Sequence, residues 1–233
     1  IKPGEKLNYH FSAVDIHGNW NSTGTRSILI SDEDQPLVVK DYTRKEGFTG
    51  DPFMFRIEII EDFGLSNVEV VYRFGQGKHF REEMNSLDGG SWVRKINIIH
   101  TVDNLIYHFI ISDRSENLLE TQETIVDILD NDPPWISNDT SDKLAETGRI
   151  FNISCEAEDN IGIVTASIEY WFTNKPHYVV ELNISNSGCS TKITIPEDAS
   201  GFIFYIFKVR DESYNLFSTE LVSTEISDII PPV

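Results

Sequence analysis

The sequence is poor in cysteine and in basic residues, and it has no long apolar run. Only two of its 233 residues are cysteine, so it is not one of the small domains held together by many disulfides. Its 19 Lys and Arg stand against 38 Asp and Glu, a formal net charge of -19, and a field of that sign repels nucleic acid and anionic membrane surfaces. No stretch approaches the roughly 20 apolar residues of a membrane span. We therefore expect no nucleic-acid partner and no direct membrane insertion of this chain.

Catalytic signatures are also missing from the sequence. The six histidines form neither an H-E-x-x-H pattern nor the Cys/His spacing of a zinc site. There is no G-x-S-x-G elbow and no phosphate-binding glycine loop. Paired carboxylates are numerous, which leaves a glycosidase dyad open by counting alone. They recur in register with the repeat described next, however, as turn or linker residues do, and we expect no enzyme.

A repeat of 98 residues organises the chain. The segments YHFSAVDIHGNWNST, YHFIISDRSENLLET and YIFKVRDESYNLFST begin at Tyr9, Tyr107 and Tyr205, and both 107 − 9 and 205 − 107 equal 98. Each copy is followed by an acidic run that ends in proline, again every 98 residues. The upstream half occurs twice, as FRIEIIEDFGLSNVEVVYRF from Phe55 and FNISCEAEDNIGIVTASIEYWF from Phe151, with a small length difference near the ED pair.

The repeat predicts the domain boundaries. Residues 35–133 and 134–233 each form a complete unit, whereas residues 1–34 correspond only to the last two strands, F and G, of a preceding unit. We therefore expect this chain to be a piece of a longer protein. Its N-terminal hairpin would lack the rest of its sandwich and would bury little apolar surface by itself.

Within each unit the apolar residues alternate with a period of two. Tyr107, Phe109 and Ile111 would lie on one face of a strand, with His108 and Ile110 on the other. Turn signals such as GQG and DGG separate the strands at intervals near ten residues. No segment keeps a helical period for three turns. The pattern predicts an all-β chain of tandem antiparallel β-sandwiches.

Several motifs resemble a known family. An ED pair followed by G-[LI], then Y-x-F-x-[VI]-x-D-x-x-x-N-L-x-x-T and finally D-x-x-P-P, is similar to the Ig-like and fibronectin-III-like repeats of archaeal and bacterial cell-surface, S-layer-type proteins. The resemblance covers essentially the whole chain, although the first copy departs from it at Ala13 and Trp20. The closing LDNDPPWI also resembles a cadherin linker, without the full set of cadherin calcium motifs.

The resemblance implies an extracellular, cell-surface location but leaves several functions open. The units could be structural spacers of a stalk or a surface-layer coat, with neighbouring repeats of the same parent protein as their partners. Alternatively, loops at one end of a sandwich could bind surface glycans or other surface proteins, as in an adhesin. The units could also be accessory modules of a secreted hydrolase.

Acidic residues provide the main candidate site. In fibronectin-like topology, the linker that enters a unit meets the BC and FG loops of that unit, which brings distant carboxylates together. Oxygen ligands without histidine or thiolate suit calcium. The alternative is that these aspartates cap their own turns and need no metal. The candidate ligands are Asp32, Asp34, Asp62 and Asp113 around the first linker, and Asp130, Asp132, Asp159 and Asp211 around the second.

The two cysteines are a candidate disulfide. In the aligned units Cys155 takes the place of Ile59, and Cys189 falls at or beside Trp92. In a sandwich of this topology the two would lie on neighbouring antiparallel strands, B and E, where a bridge is geometrically reasonable. The alternative is a pair of buried thiols that replace bulkier core residues.

Four N-x-[ST] sequons also fit a chain exposed to glycosylation outside the cytoplasm. Their asparagines are Asn21, Asn138, Asn152 and Asn183.

Overall fold

The computed structural model describes residues 3–185 and 188–230, except for the side chain of Asp88. The outermost residues of the predicted units, 1–2 and 231–233, lie outside this range. The described residues form two compact units, one from residues 3–47, 51–97 and 103–127, the other from residues 48–50, 98–102 and 128–230. No helix in the described part of the chain is long and apolar enough to cross a membrane.

The described residues form 24 strands and one short 3-10 turn at Asp88–Gly90. The N-terminal segment contains β1 (Lys6–Tyr9), β2 (Ser12–Val14), β3 (Trp20–Ser22) and β4 (Arg26–Leu29). The first sandwich contains β5 (Leu37–Asp41), β6 (Glu46–Phe48), β7 (Pro52–Ile60), β8 (Leu65–Phe74), β9 (Phe80–Glu83), β10 (Asn85–Ser86), β11 (Ser91–Asn97), β12 (Leu105–Asp113), β13 (Leu118–Glu120) and β14 (Thr124–Leu129). The second contains β15 (Trp135–Asp139), β16 (Ala145–Glu146), β17 (Ile150–Glu158), β18 (Ile163–Phe172), β19 (Tyr178–Glu181), β20 (Asn183–Ser185), β21 (Gly188–Thr194), β22 (Phe202–Asp211), β23 (Leu216–Ser218) and β24 (Val222–Ser227).

Each sandwich is built from two sheets in the same strand order. In the first, the sheets run β10-β11-β7-β5 and β6-β14-β12-β8-β9, with β13 also paired to β12. In the second, they run β15-β17-β21-β20 and β16-β24-β22-β18-β19, with β23 also paired to β22. These orders place strands A, B, E and D in one sheet and C, F and G in the other, which is the Ig arrangement. The prediction of tandem Ig-like β-sandwiches is confirmed.

Strand alternation explains where the core of each unit lies. Along β12 every second residue is buried, and Tyr107, Phe109 and Ile111 are at most 2% exposed. The intervening His108 and Ile110 lie on the opposite face and are only partly buried. The faces predicted for this strand are therefore confirmed. The rings of Tyr107 and Phe55, from opposite sheets, pack with centroids 5.1 Å apart.

A buried tyrosine ties the two sheets of each unit together. The hydroxyl of Tyr107 donates to Asp41 Oδ2 at 2.6 Å, and that of Tyr205 donates to Asp139 Oδ2 at 2.9 Å. Burial and the nearby carboxylate raise the pKa of both phenols, so they remain protonated donors at neutral pH. Asp41 and Asp139 are 98 residues apart, so this interaction belongs to the repeat.

The described part of the N-terminal segment, residues 3–34, folds as paired strands without a sandwich core of its own. Strand β1 pairs with β4 and β2 pairs with β3, both antiparallel. Strand β12 pairs with β14 and β13 in the same way. Large apolar side chains remain exposed in this segment, among them Phe11, Ile16 and Trp20. The pairing is that of an F–G hairpin, and no second sheet among the described residues covers these apolar side chains.

Candidate functional site

Two groups of three carboxylates stand out in the structure, one in each unit. The first group is Asp32, Glu61 and Asp113, and the second group is Asp130, Asp159 and Asp211. Within each group the three side chains can each offer an oxygen within 4.8 Å of the others. Every member of the second group lies 98 residues after its counterpart in the first.

The fold explains why residues so distant in sequence meet. Asp32 lies in the segment that precedes β5, Glu61 follows the end of β7, and Asp113 is the last residue of β12. The second group occupies the same three places relative to β15, β17 and β22. Entry segment, BC loop and end of strand F therefore converge at one end of each sandwich, as the sequence predicted for this topology.

The aspartate at the end of strand F holds the turn that follows it. In the first unit, Asp113 Oδ1 accepts hydrogen bonds from the backbone N–H groups of Ser115 and Asn117 at 2.8 and 2.9 Å. The side-chain amide of Asn117 donates to Asp113 Oδ2 at 2.7 Å. Asp211 accepts the same two bonds from Asn215, and the exposed Asp15 accepts them from Asn19. The turn-capping role considered for these aspartates is therefore present in all three copies.

The BC-loop carboxylates also cap turns, but with one oxygen only. Glu61 Oε1 accepts from the backbone N–H of Phe63 at 3.0 Å. Asp159 Oδ2 accepts from the backbone N–H groups of Ile161 and Gly162 at 2.8 and 2.6 Å. The other oxygen of Asp159, Oδ1, is fully buried and has no hydrogen-bond partner among the described residues. Turn capping thus leaves part of this carboxylate unused.

The first group contains a similar unused oxygen. Asp32 Oδ1 accepts from the backbone N–H of Asp34 at 3.2 Å, whereas Asp32 Oδ2 is buried and without a partner among the described residues. A carboxylate oxygen of Asp32 lies within 4.8 Å of one of Asp113. Next to the group lies a cavity of about 140 Å³ lined by Asp32, Asp34, Glu61 and Asp62, among others. The cavity is large enough for several waters or a hydrated ion.

Two neutral side chains, Thr49 and Asn160, lie beside the second group. Thr49 donates from Oγ1 to Asp130 Oδ1 at 2.6 Å, and the side-chain amide of Asn160 donates to Asp130 Oδ1 at 3.1 Å and to Asp132 Oδ2 at 3.2 Å. Asn160 Oδ1 is buried and has no partner within the described residues. The second group therefore lies beside an amide oxygen that is free to accept a ligand.

Each group brings three negative charges close together, which costs electrostatic free energy. Charged carboxylates whose oxygens lie within 4.8 Å of one another repel by roughly 3 kcal/mol per pair at an effective dielectric constant of about 20. Burial raises the pKa of Asp113 and of Asp130. Hydrogen bonds, chiefly from Asn117 to Asp113 and from Thr49 to Asp130, have a larger opposite effect, so the pKa of both carboxyls is below its usual value. No ion pair in the described part of the chain joins a Lys, Arg or His to any of the six carboxylates.

The structure brings together five of the eight candidate ligands, together with one residue that the sequence reasoning missed. Asp32, Asp113, Asp130, Asp159 and Asp211 belong to the groups, whereas Asp34, Asp62 and Asp132 do not. Glu61 takes the place expected for Asp62. The 98-residue interval could have identified Glu61, because it aligns Glu61 with Asp159, whereas Asp62 aligns with Asn160.

The two cysteines face each other across neighbouring strands. Both are free thiols, 1% and 2% exposed, and Cys155 on β17 pairs directly with Cys189 on β21. Contact with Cys189 and burial raise the pKa of the Cys155 thiol. The expected alignment of Cys155 with Ile59 was wrong. Strand pairing gives the counterpart as Ile57, because Asp41 pairs with Ile57 as Asp139 pairs with Cys155.

The same correction removes the length difference expected between the upstream halves. Strands β7 and β17 begin and end 98 residues apart, so Phe151 corresponds to Phe53 rather than to Phe55. The alignment error arose because both candidate phenylalanines are buried on the same face of β7. A shift of two residues keeps every side chain on its face, and periodicity alone does not detect it.

All four sequon asparagines are exposed. Asn21, Asn138, Asn152 and Asn183 each lie within a strand, on β3, β15, β17 and β20. The side-chain amide of Asn152 already donates to Asp142 Oδ2 at 2.9 Å. Attachment of a glycan to Asn152 would therefore replace one of the two N–H groups of an amide that already donates a hydrogen bond.

Comparison with known proteins identifies no family. No protein-family model matches the chain, and no curated protein matches it. Among solved structures, fibronectin(III)-like modules of Clostridium thermocellum CbhA are 12% identical over 83% of this chain and 94% of that one, with a TM-score of 0.35. Tandem Ig repeats of Dlar are 15% identical over 83% and 98%, with a TM-score of 0.32. A tetra-tandem repeat from the extending region of a large adhesion protein is 13% identical over 95% and 56%, with a TM-score of 0.41.

At these identities and TM-scores the similarity transfers neither a family nor a function to the chain. The Ig assignment depends instead on the strand order of each sandwich.

Proposed function

We propose that this chain is a pair of non-catalytic spacer modules from an extracellular cell-surface protein. The observation that carries the proposal is that the repeat preserves structural residues. The Tyr–Asp bonds between sheets and the Asp–Asn turns recur at intervals of 98 residues in both units. The residues that recur are therefore those that keep each module folded. A spacer module requires little more than a stable fold.

The surface chemistry is consistent with an extracellular location. A net charge of -19 keeps neighbouring copies soluble and apart. Four exposed sequons are available to a glycosylation enzyme. The facing cysteines would form a bridge in an oxidising compartment, where disulfides persist. Stalk, adhesion-spacer and surface-layer roles all use modules of this kind.

Protease treatment of intact cells of the source organism tests the proposal. If the modules are displayed at the surface, a protease added outside the cells should release peptides of this chain, and mass spectrometry should identify them in the supernatant. A cytoplasmic protein of the same cells serves as the control and should be absent from that fraction.

Peptides of this chain that appear only after lysis would contradict an extracellular location. A separate outcome addresses the spacer role. If the purified chain bound a defined glycan in an array with saturable affinity, the adhesin function considered from the sequence would replace the spacer function.

A further inference from the structure

The carboxylate groups have more acceptor capacity than the protein uses. Capping occupies one oxygen of Asp159, and the backbone N–H of Asp34 occupies one oxygen of Asp32. The second oxygen of each is fully buried without a donor among the described residues. Buried polar atoms are normally paired, and a buried carboxylate oxygen without a donor calls for a ligand or an ion.

We propose that each group binds one calcium ion: Asp32, Glu61 and Asp113 in the first unit, and Asp130, Asp159 and Asp211 in the second. A divalent cation offsets the repulsion among three carboxylates and supplies the missing partner of the buried oxygens. The recurrence of all three positions at 98 residues, with an unpartnered oxygen in both units, favours a built site over a chance acidic cluster.

The ligand chemistry favours calcium over other common metals. Every candidate ligand is an oxygen, and neither group contains the histidine or thiolate ligands that zinc and copper prefer. Calcium accepts six to eight oxygens in flexible geometry, and three carboxylates with additional waters provide that number. The cavity beside the first group and the unpartnered Asn160 Oδ1 beside the second provide room and a further oxygen.

A bound ion would fasten the entry segment of each unit. Asp130 lies between β14 and β15, whereas Asp159 and Asp211 belong to the BC loop and the end of strand F. Joined by one ion, these three elements would resist separation when the chain is pulled. This inference is independent of the proposed function, because a spacer without calcium remains a spacer.

Calorimetric titration of the chelator-stripped full chain with CaCl₂ tests the proposal. We expect saturable binding of two ions per chain. Asp32→Asn and Asp159→Asn should each reduce the stoichiometry to one, since asparagine keeps one capping oxygen but replaces the other with an amide. Asp15→Asn is the matched control, because Asp15 forms the same turn with Asn19 but belongs to neither carboxylate group. This variant should still bind two ions.

Two results would overturn the inference. One is a flat titration of the wild-type chain. The other is a stoichiometry that Asp32→Asn and Asp159→Asn leave unchanged, which would place the ions elsewhere. Circular dichroism checks that each variant is folded, and Glu61→Gln replaces Asp32→Asn if the latter is not. The same titration with MgCl₂ should give weaker binding, since magnesium needs a stricter octahedral geometry.

Discussion

Replacing Phe207 with alanine is expected to lower the free energy of unfolding of the second unit by about 3–5 kcal/mol. The Phe207 side chain is fully buried on β22, where its ring packs against Tyr205 at 5.6 Å between centroids. Removal of the ring leaves a cavity between two sheets that strand pairing holds in place, so the cavity closes only in part. Chemical denaturation of wild type and variant measures the difference.

Two further variants make this test specific. Phe202→Ala, on the same strand but 41% exposed, should cost less than about 1 kcal/mol. Phe109 lies 98 residues earlier and is 2% exposed. Phe109→Ala should lower the free energy of unfolding of the first unit by as much as Phe207→Ala lowers that of the second. If Phe202→Ala were as damaging as Phe207→Ala, the core of the second unit would be assigned to the wrong face of β22.

The second large effect concerns Cys155 and Cys189. Oxidation should join their sulfurs and stabilise the second unit by about 3–4 kcal/mol, because the bridge would close a loop of roughly 35 residues in the unfolded chain. Directly opposed residues of antiparallel strands have Cα atoms about 4.5–5.5 Å apart, within the range that a disulfide spans. Each thiol loses its proton, and a disulfide oxidant such as oxidised glutathione accepts the two electrons.

Thermal melts of one preparation, oxidised by glutathione disulfide or fully reduced, measure this effect. The oxidised chain should also be lighter by the mass of two hydrogens and should have no reactive thiol after denaturation. Cys155→Ala is the control, and its melting should not respond to the oxidant. If the wild-type chain still had two free thiols after treatment with glutathione disulfide, the prediction would be wrong. The two cysteines would then only replace Ile57 and Trp92 of the first unit.

The fold could be predicted well because its signals are periodic. The alternation around Tyr107 determines which residues of the strand face the core, and the 98-residue interval shows that the same strand recurs at Tyr205. Both are properties of regular strands, in which side-chain direction follows residue number. The neighbouring positions of strands B and E, and of strands F and G, came from the resemblance to known repeats, and the structure agrees with them.

The candidate site could be predicted only in part, because it depends on loop geometry. Sequence reasoning identified the convergence of entry segment, BC loop and strand F, but selected Asp62 where the structure places Glu61. Two adjacent acids in a turn point in different directions, and periodicity does not distinguish them. The bonds from Tyr107 to Asp41 and from Tyr205 to Asp139 were also missed, although the 98-residue interval between the two aspartates was present in the sequence.

The most direct test of the central claim, that the chain contains two equivalent spacer modules, is single-molecule extension under reducing conditions. The strands of the two sandwiches occupy residues 37–129 and 135–227, which are equally long. We expect two unfolding events that each lengthen the chain by about 30 nm, given an extended rise of at most about 3.6 Å per residue. A single event that releases both sandwiches at once, or two clearly unequal steps, would contradict the account.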